Sequence, residues 1–233
     1  MRYFQRQALE PIIQAELDVK TSKNWGKLTE DQREEIVEKL MASQKSLCGY
    51  CECRISEKEN AYHVEHFIER HDDDTKIFEY NNMLLSCQGN TIPVIKPTTP
   101  EDVLEKKRNI SCGHGKEKYR HKRVEIDYSM LLNPTNENVS ALFSYENGIV
   151  EPSKKCTPIE EEQVKYTIQR LNLDAKTVED NRKTELDIIN ELFKDLTEEQ
   201  KRIQLDGLLD ETQAVLNPYF STIKDNFGFM LLA

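Results

Sequence analysis

Long apolar runs are absent from the sequence. No stretch approaches the roughly 20 consecutive apolar residues that a membrane-spanning helix requires. Residues 1–10 also carry charges where a secretory signal peptide would have its apolar core. We therefore expect a protein that is not inserted in a membrane and that resides in the cytoplasm.

Glycine and proline are scarce, with eight of each among 233 residues. No tract is dominated by one residue type and no internal repeat is visible, which excludes collagen-like and low-complexity proteins. The phosphate-binding pattern GxxxxGK[ST] is absent as well, so we expect no ATP binding through such a loop. With 37% hydrophobic residues the chain can form one or two globular domains.

Charge is unevenly distributed along the chain. The net charge of −10 argues against a protein that coats nucleic acid through bulk electrostatics. The stretch from Lys106 to Arg123 is the exception, because it contains eight basic residues and a single acid, Glu117. A basic cluster of this kind either binds phosphate groups or forms a solvated helix face.

Helix signals occur near both ends of the chain. The first helix should begin near Pro11, and a second should span residues 30–44, with Thr29 and Gln32 forming a capping box. Further along, Thr157 is a predicted N-cap. Two apolar stripes predict later helices: Ile188, Ile189, Leu192 and Phe193 mark one, and a second helix, capped by Thr197 and Gln200, should bury Ile203, Leu208 and Leu209.

The middle of the chain predicts short β-structure. Residues 61–68 alternate as a strand should, and residues 91–100 contain three prolines and predict a loop. Asn147 and Gly148 between two apolar segments predict a β-hairpin with a type I′ turn. The chain is therefore expected to have an α+β fold with an N-terminal helical segment, a central core and a helical C-terminal region. Their predicted boundaries are 1–45, 46–155 and 156–233.

Cysteine and histidine are concentrated in one segment. All five histidines and five of the six cysteines lie within residues 48–121. Cys48 and Cys51 form a CxxC pair, which in a reducing compartment indicates metal binding more than a disulfide. Tetrahedral zinc needs two further ligands, for which the remaining thiols are Cys53, Cys87, Cys112 and Cys156. We choose Cys87 and Cys112, since both stand at predicted element ends.

A second set of residues combines Glu65, His66, Asn82 and His114. Taken singly, each has an ordinary explanation as a surface acid, a satisfied polar residue, a turn former or a helix-start residue. Their order, framed by the CxxC pair, resembles that of the HNH nuclease family. The blocks that carry this resemblance are Cys48-Gly-Tyr-Cys51-Glu52, Val64-Glu65-His66-Phe67, Asn82-Met83-Leu84-Leu85-Ser86-Cys87 and Cys112-Gly113-His114-Gly115-Lys116. The chain is most similar to the PtuB nucleases of Septu and retron-associated anti-phage systems.

The resemblance implies a zinc-supported ββα-metal core, in which a hairpin carries the catalytic base and a helix closes over a divalent ion. It implies that His66 takes a proton from the attacking water and that Asn82 orients its imidazole. Glu65 and His114 would bind Mg²⁺ or Mn²⁺. The residues that would hold the phosphate backbone are Lys116, Lys118, Arg120, Lys122 and Arg123.

The chain departs from the common HNH layout in two ways. The third and fourth zinc cysteines usually form a second CxxC pair, whereas here a long insertion separates them. His114 also stands one place later than the usual ligand, so Asn90 and His121 stay open as alternatives. His63 shares a strand face with Glu65 and is a candidate for a third ligand or for a residue that orients one.

The function expected from the resemblance is metal-dependent hydrolysis of phosphodiester bonds in DNA or in host transfer RNA. The nuclease would be the effector of an anti-phage system. It would work with a PtuA-type ATPase and, in retron systems, with a reverse transcriptase and its multicopy single-stranded DNA. The alternative is a zinc-stabilised nucleic-acid-binding or adaptor module without catalysis. The presence of Glu65, His66 and Asn82 favours the enzyme.

Overall fold

The computed structural model describes residues 1–20, 22, 24–56, 61–89, 99–120 and 125–232, with the backbone alone at 105, 106 and 117–120. Its helices are α1 (Pro11–Asp18), α2 (Glu30–Ser43), α3 (Pro100–Arg108), α4 (Cys112–Arg120), α5 (Val139–Leu142), α6 (Pro158–Leu171), α7 (Lys176–Phe193), α8 (Glu198–Leu208) and α9 (Phe220–Phe227). Its strands are β1 (Tyr62–His66), β2 (Met83–Cys87), β3 (Phe143–Ser144) and β4 (Glu151–Pro152). Among these described helices, none combines the length and apolar character needed to cross a bilayer.

Helices α1 and α2 confirm the sequence predictions at the N-terminus. Helix α1 begins at Pro11, and Thr29 caps α2 in the predicted capping box with Gln32. The end of α2 is fastened to β2 by the side chain of Gln44. Its Nε2 donates to the carbonyl oxygens of Leu47 and Leu85, and its Oε1 accepts from the Leu85 amide at 2.7 Å. Helix α2 is thereby fixed against the strand that leads to the site.

Strands β1 and β2 form an antiparallel hairpin, which confirms the predicted strand at residues 61–68. The pairing runs from Tyr62 opposite Cys87 to His66 opposite Met83. Strand β2 is buried through Leu84 and Leu85, and α4 packs against it and against α6. Most of the predicted loop at 91–100 lies outside the described residues, and its last residue, Pro100, begins α3.

Strands β3 and β4 form the second predicted hairpin. Asn147 and Gly148 have φ values of +52° and +79°, as a type I′ turn requires, and the Ile149 amide donates to the Glu146 carbonyl at 3.0 Å. The paired strands are shorter than the sequence predicts. Leu142 belongs to α5, so the pairing begins only at Phe143 and consists of two residue pairs. Residues 145–150, which include the apolar segment predicted to follow the turn as a strand, form a loop with a 3₁₀ turn at Glu146–Gly148.

The apolar stripe of α7 is only partly buried. Ile189 and Phe193 are buried, whereas Ile188 and Leu192 are exposed. Neighbouring residues of a helix point about 100° apart, so a helix that packs on one side covers one member of each such pair. The predicted stripe is therefore wider than the face that α7 buries.

Helix α8 confirms the predicted cap but not the predicted buried face. Thr197 accepts from the Gln200 amide in a capping box, and Leu208 and Leu209 pack against a small cluster with α7 and α9. Ile203, however, is 65% exposed, and Leu205 takes the buried position. The prediction for Ile203 is wrong because the face of α8 that meets α7 and α9 is centred on Leu205.

The main apolar core is shared by distant parts of the chain. It contains Phe4, Leu84 and Leu171, one from each of the three predicted segments. The smaller cluster of Ile189, Phe193, Leu205 and Ile223 lies among the C-terminal helices. The division of the chain into three segments stays a prediction.

Replacing Thr157 with alanine should lower the free energy of unfolding by about 1 kcal/mol, since it removes the capping box of α6. Urea denaturation measures the change. Thr184→Ala is the matched control because Thr184 lies exposed within α7. Its effect should stay within about 0.5 kcal/mol, and equal losses in the two variants would contradict the assignment.

Candidate functional site

Four cysteines from three separate parts of the chain meet in one group. Cys48 and Cys51 lie in the turn after α2, Cys87 ends β2, and Cys112 begins α4. Their sulfur atoms all lie within 4.8 Å of one another, and the Cys51 and Cys87 sulfurs are 3.8 Å apart. Thiolates around tetrahedral zinc at about 2.3 Å stand about 3.8 Å from each other. The predicted group could therefore hold a metal ion such as zinc.

The turn that carries the CxxC pair is held by its own backbone. The Cys48 amide donates to the Cys53 carbonyl at 2.9 Å, and the Glu52 amide donates to the Cys48 carbonyl at 3.1 Å. Glu52 has a φ of +66°, which lets the chain reverse within a few residues. The Cys87 amide donates to the Cys48 sulfur at 3.3 Å, a contact that favours a thiolate.

Buried charges from other elements surround this turn. The Glu52 carboxylate lies 3.3 Å from the α-amine of Met1 and accepts from the Ser221 amide at 2.8 Å. Arg182 of α7 is fully buried. Burial lowers the pKa of Arg182, while nearby Cys51 and Glu52 act to raise it. A zinc ion with four thiolates has a net charge of −2, so a buried guanidinium nearby stabilises the loaded site.

The four thiols shift one another's pKa values. A hydrogen bond with Cys112 lowers the pKa of Cys51, whereas Cys48 raises the pKa of Cys112. One deprotonated thiol thus makes deprotonation of its neighbour harder. A divalent cation removes this conflict because it lets all four sulfurs carry charge together.

Glu65 on β1 is the centre of a second polar group. One carboxylate oxygen, Oε1, forms an ion pair with the Lys116 ammonium. The other, Oε2, lies 3.3 Å from Nε2 of His63, two residues earlier on the same strand face. Burial acts to raise the pKa of Glu65, but Lys116 and His63 outweigh it and lower the pKa to about 2. Glu65 is therefore an anion throughout the neutral range.

Lys116 lies inside the protein, which corrects the prediction that it binds phosphate. Its side chain is 1% exposed, and its Nζ donates to the carbonyls of His66 and Phe67 at 2.7 and 3.1 Å. With Glu65 as a third acceptor, the three ammonium protons are satisfied. The physical reason is the position of Lys116 one turn into α4, on the face that packs against the hairpin.

His114 and His63 lie side by side at the start of α4. Their ring centroids are 4.3 Å apart, and His114 Nε2 is 3.2 Å from Oε1 of Gln88. A side chain at Gly113 would place its Cβ 2.7 Å from both Glu65 Oε2 and His63 Nε2. The glycine thus allows α4 to approach β1 closely. It brings the predicted ligands Glu65 and His114 to one side of the hairpin, with His63 beside both.

His66 occupies the last position of β1 and is only 6% exposed. Its Nε2 lies 2.9 Å from the Ile77 carbonyl, which can only accept a proton. The proton of a neutral ring is thereby assigned to Nε2, and Nδ1 is the nitrogen that can accept one. Burial lowers the pKa of His66, which favours the neutral ring that a general base requires.

Asn82 acts on the backbone around His66 rather than on its ring. Its Oδ1 accepts from the Ile68 amide at 2.8 Å, and its Nδ2 donates to the carbonyls of Ile68 and Lys76 at 2.9 and 3.3 Å. These contacts fix the chain just after His66 and just before Ile77. The predicted orientation of the imidazole by Asn82 would therefore act through the backbone on either side of the ring.

Several predicted site residues lie wholly or with their side chains outside the described part of the chain. Lys118 and Arg120 belong to α4, but only their backbone is described. The remaining basic residues, Lys122 and Arg123, and the alternative ligands Asn90 and His121 lie outside the described residues. The predicted phosphate-binding role of these four basic residues stays a prediction.

The sequence reasoning missed two contacts at the site. The Trp25 ring lies 4.9 Å from the His66 ring in an edge-to-face arrangement, and Lys116 is the ion-pair partner of Glu65. The one signal for Trp25 is that it is the single tryptophan of the chain. For Lys116 the signal is its spacing of four from Cys112, which places both on one face of α4.

One further group of possible ligand atoms lies on the surface after β1. Glu69, His71 and Asp72 have ligand atoms within 4.8 Å of one another. His71 contacts the carboxylates of Glu69 and Asp72 at 3.2 and 3.0 Å and is exposed.

No protein-family model matches the chain, and a comparison with curated proteins found no match. Family and activity are therefore inferred from the residues and contacts described above.

We expect purified protein to contain about one zinc ion per chain, bound by the four-cysteine group. Cys87→Ala should lose most of this zinc and unfold at a lower temperature, because a three-thiolate site holds the ion less tightly. Elemental analysis and thermal unfolding measure the two effects. Cys156→Ala is the matched control, since Cys156 lies outside the group. Full zinc content in Cys87→Ala would show that the ion binds elsewhere.

Lys116→Met should lower the free energy of unfolding by about 3–5 kcal/mol, since it leaves the Glu65 carboxylate as an unpaired buried charge. The double variant Glu65→Gln/Lys116→Met should recover part of this loss because no charge is then buried alone. Urea denaturation of the zinc-loaded proteins measures both. A loss under about 1 kcal/mol in the single variant is the value of a surface pair and would rule out the buried ion pair.

Proposed function

We propose that the chain is a metal-dependent HNH endonuclease of the PtuB type. The observation that carries this proposal is the arrangement around β1. Glu65 and His66 end a short hairpin, α4 crosses that hairpin with His114 at its start, and the four-cysteine group joins the two. A hairpin followed by a helix, joined through the four-cysteine group, supports the proposal of a zinc-supported ββα-metal core.

His66 is the proposed general base. Its Nε2 is engaged by the Ile77 carbonyl at 2.9 Å, so Nδ1 is the atom that takes the proton from the attacking water. Asn82 fixes the two backbone segments that hold this ring in place. A ring held by its neighbours keeps its orientation when the substrate arrives, which a general base needs.

Glu65 and His114 are the proposed ligands of Mg²⁺ or Mn²⁺, with His63 as a third candidate. Two observations support a cation here. Glu65 Oε2 lies outside the ion pair with Lys116 and faces His63 Nε2 at 3.3 Å, and the His63 Nδ1 is buried without a hydrogen-bond partner among the described residues. When bound, the ion would neutralise charge on the scissile phosphate and the leaving oxygen. Imidazole ligands favour Mn²⁺ over Mg²⁺, which prefers sites made of oxygen ligands alone.

We further propose a cytoplasmic effector of an anti-phage system. This part rests on the motif resemblance and on the absence of a P-loop in the sequence. The proposed partners are a PtuA-type ATPase and, in retron systems, a reverse transcriptase with its multicopy single-stranded DNA. The substrate is DNA or host transfer RNA, and Lys118, Arg120, Lys122 and Arg123 are proposed to hold its backbone.

The alternative is a zinc-stabilised nucleic-acid-binding or adaptor module without catalysis. One observation favours it: the charge of Glu65 is already balanced by Lys116, an ammonium that stands next to the proposed cation site. A module of this kind would bind nucleic acid and would leave phosphodiester bonds intact.

His66→Ala should reduce cleavage by at least about 100-fold, the usual contribution of a general base. The assay uses labelled duplex DNA, single-stranded DNA and transfer RNA, with Mg²⁺ or Mn²⁺, and with and without a PtuA-type ATPase. His71→Ala is the matched control because His71 is an exposed histidine of the same region. Cleavage by His66→Ala at the wild-type rate would refute the proposal, and binding without cleavage by the wild type would favour the module.

A further inference from the structure

An aromatic pair stands next to the proposed general base. Trp25 lies in a short 3₁₀ turn, Trp25–Lys27, between α1 and α2, and its ring meets the His66 ring at an interplanar angle of 86°. On another side it stacks with Phe78 at 6.2 Å between centroids and 17° between planes. The Lys20 ammonium lies 5.7 Å from the centroid of Phe78. Trp25, Phe78 and Lys20 thus place aromatic surface and a positive charge side by side.

The accessible member of this pair is Trp25. Phe78 is buried, whereas Trp25 is half-buried and its chain neighbours Gly26 and Lys27 are exposed. The turn is held by local contacts, since the Asn24 side chain accepts from the Gly26 amide at 2.8 Å. Phe78 therefore packs against the indole from the protein interior, and part of the Trp25 side chain is exposed to solvent.

We propose that Trp25, supported by Phe78, stacks an unpaired nucleobase of the substrate next to the scissile phosphate. Stacking on an aromatic side chain accepts any base, provided that its face is free. In a duplex both faces are covered by neighbouring base pairs, so such a platform selects a single strand, a loop or an extruded nucleotide. The inference rests on the proposed function, because the phosphate at His66 brings the base to Trp25.

The position of the platform matches this role. The ring centroids of Trp25 and His66 are 4.9 Å apart, so a base on the indole has its own phosphate close to the imidazole. The Lys20 ammonium beside Phe78 adds attraction for the sugar-phosphate chain of the same strand. The proposal thereby defines the substrate class as nucleic acid that is unpaired at the cleavage point.

Binding can be read from Trp25 itself, because its emission is the only tryptophan fluorescence of the chain. The titration uses the zinc-loaded wild-type protein without added Mg²⁺ or Mn²⁺. The ligands are a 12-nucleotide single-stranded DNA, an RNA of the same sequence, and the corresponding blunt duplex. We expect at least one single strand to quench the emission at concentrations at which the duplex does not. Preference for DNA or RNA then identifies the polymer.

Variants test the contribution of the indole to affinity. Trp25→Ala should weaken binding of the preferred labelled single strand by about 5- to 100-fold, measured by fluorescence anisotropy, the range expected for one stacked base. Trp25→Phe keeps an aromatic face and should stay within about threefold of the wild type. Phe229→Ala removes an exposed aromatic residue of the C-terminal segment and should change nothing. Thermal unfolding verifies that each variant is folded.

The outcomes separate this inference from the proposed function. Equal quenching by duplex and single strands, or unchanged affinity in a folded Trp25→Ala, would overturn the stacking platform even if His66-dependent cleavage is observed. Conversely, single-strand-specific quenching that needs Trp25 supports the platform even if the protein cleaves nothing. In that case the site binds unpaired nucleotides and the nuclease proposal fails alone.

Discussion

The joining of three chain segments by Cys48, Cys51, Cys87 and Cys112 is the constraint on which the proposed site depends. Strands β1 and β2 have five residues each and α4 has nine, and elements this short are marginal when isolated. The cysteines stand at the end of β2, at the start of α4 and in the turn after α2. A metal ion at their centre would fix the angle between hairpin and helix, and thus the separation of Glu65 from His114.

Around this centre the protein balances its buried charges internally. Lys116 forms an ion pair with Glu65 and donates to two carbonyl oxygens, and Arg182 lies near the thiols and Glu52. Lys116 is contributed by α4, which packs against β2, and Arg182 by α7. Because an unpaired buried charge is costly, the Glu65–Lys116 pair disfavours any docking of α4 that would separate the two side chains. Both Glu65 oxygens have a partner, Lys116 for Oε1 and His63 for Oε2.

Local signals in the sequence predicted local structure well. Thr29, Thr157 and Thr197 begin helices because a capping box needs only residues three apart. The cysteine group was predictable too, since a CxxC pair and two further thiols at predicted element ends supply the four ligands of a tetrahedral metal site. The burial of Lys116 and the contact of Trp25 with His66 were not, because both depend on the docking of elements far apart in sequence. The exposure of Ile203 has the same cause, because the face of a helix that is buried depends on the elements that pack against it.

The wide spacing of the four cysteines has a consequence for biosynthesis. The CxxC pair leaves the ribosome about 60 residues before Cys112, a delay of several seconds at ordinary rates of elongation. During that time the group lacks at least one of its four thiols. Cys48 and Cys51 are then accessible to oxidants and to metals that bind two or three sulfurs. The four-cysteine group can therefore bind a metal ion as a complete set only late in synthesis, and the hairpin and α4 can be joined through it only then.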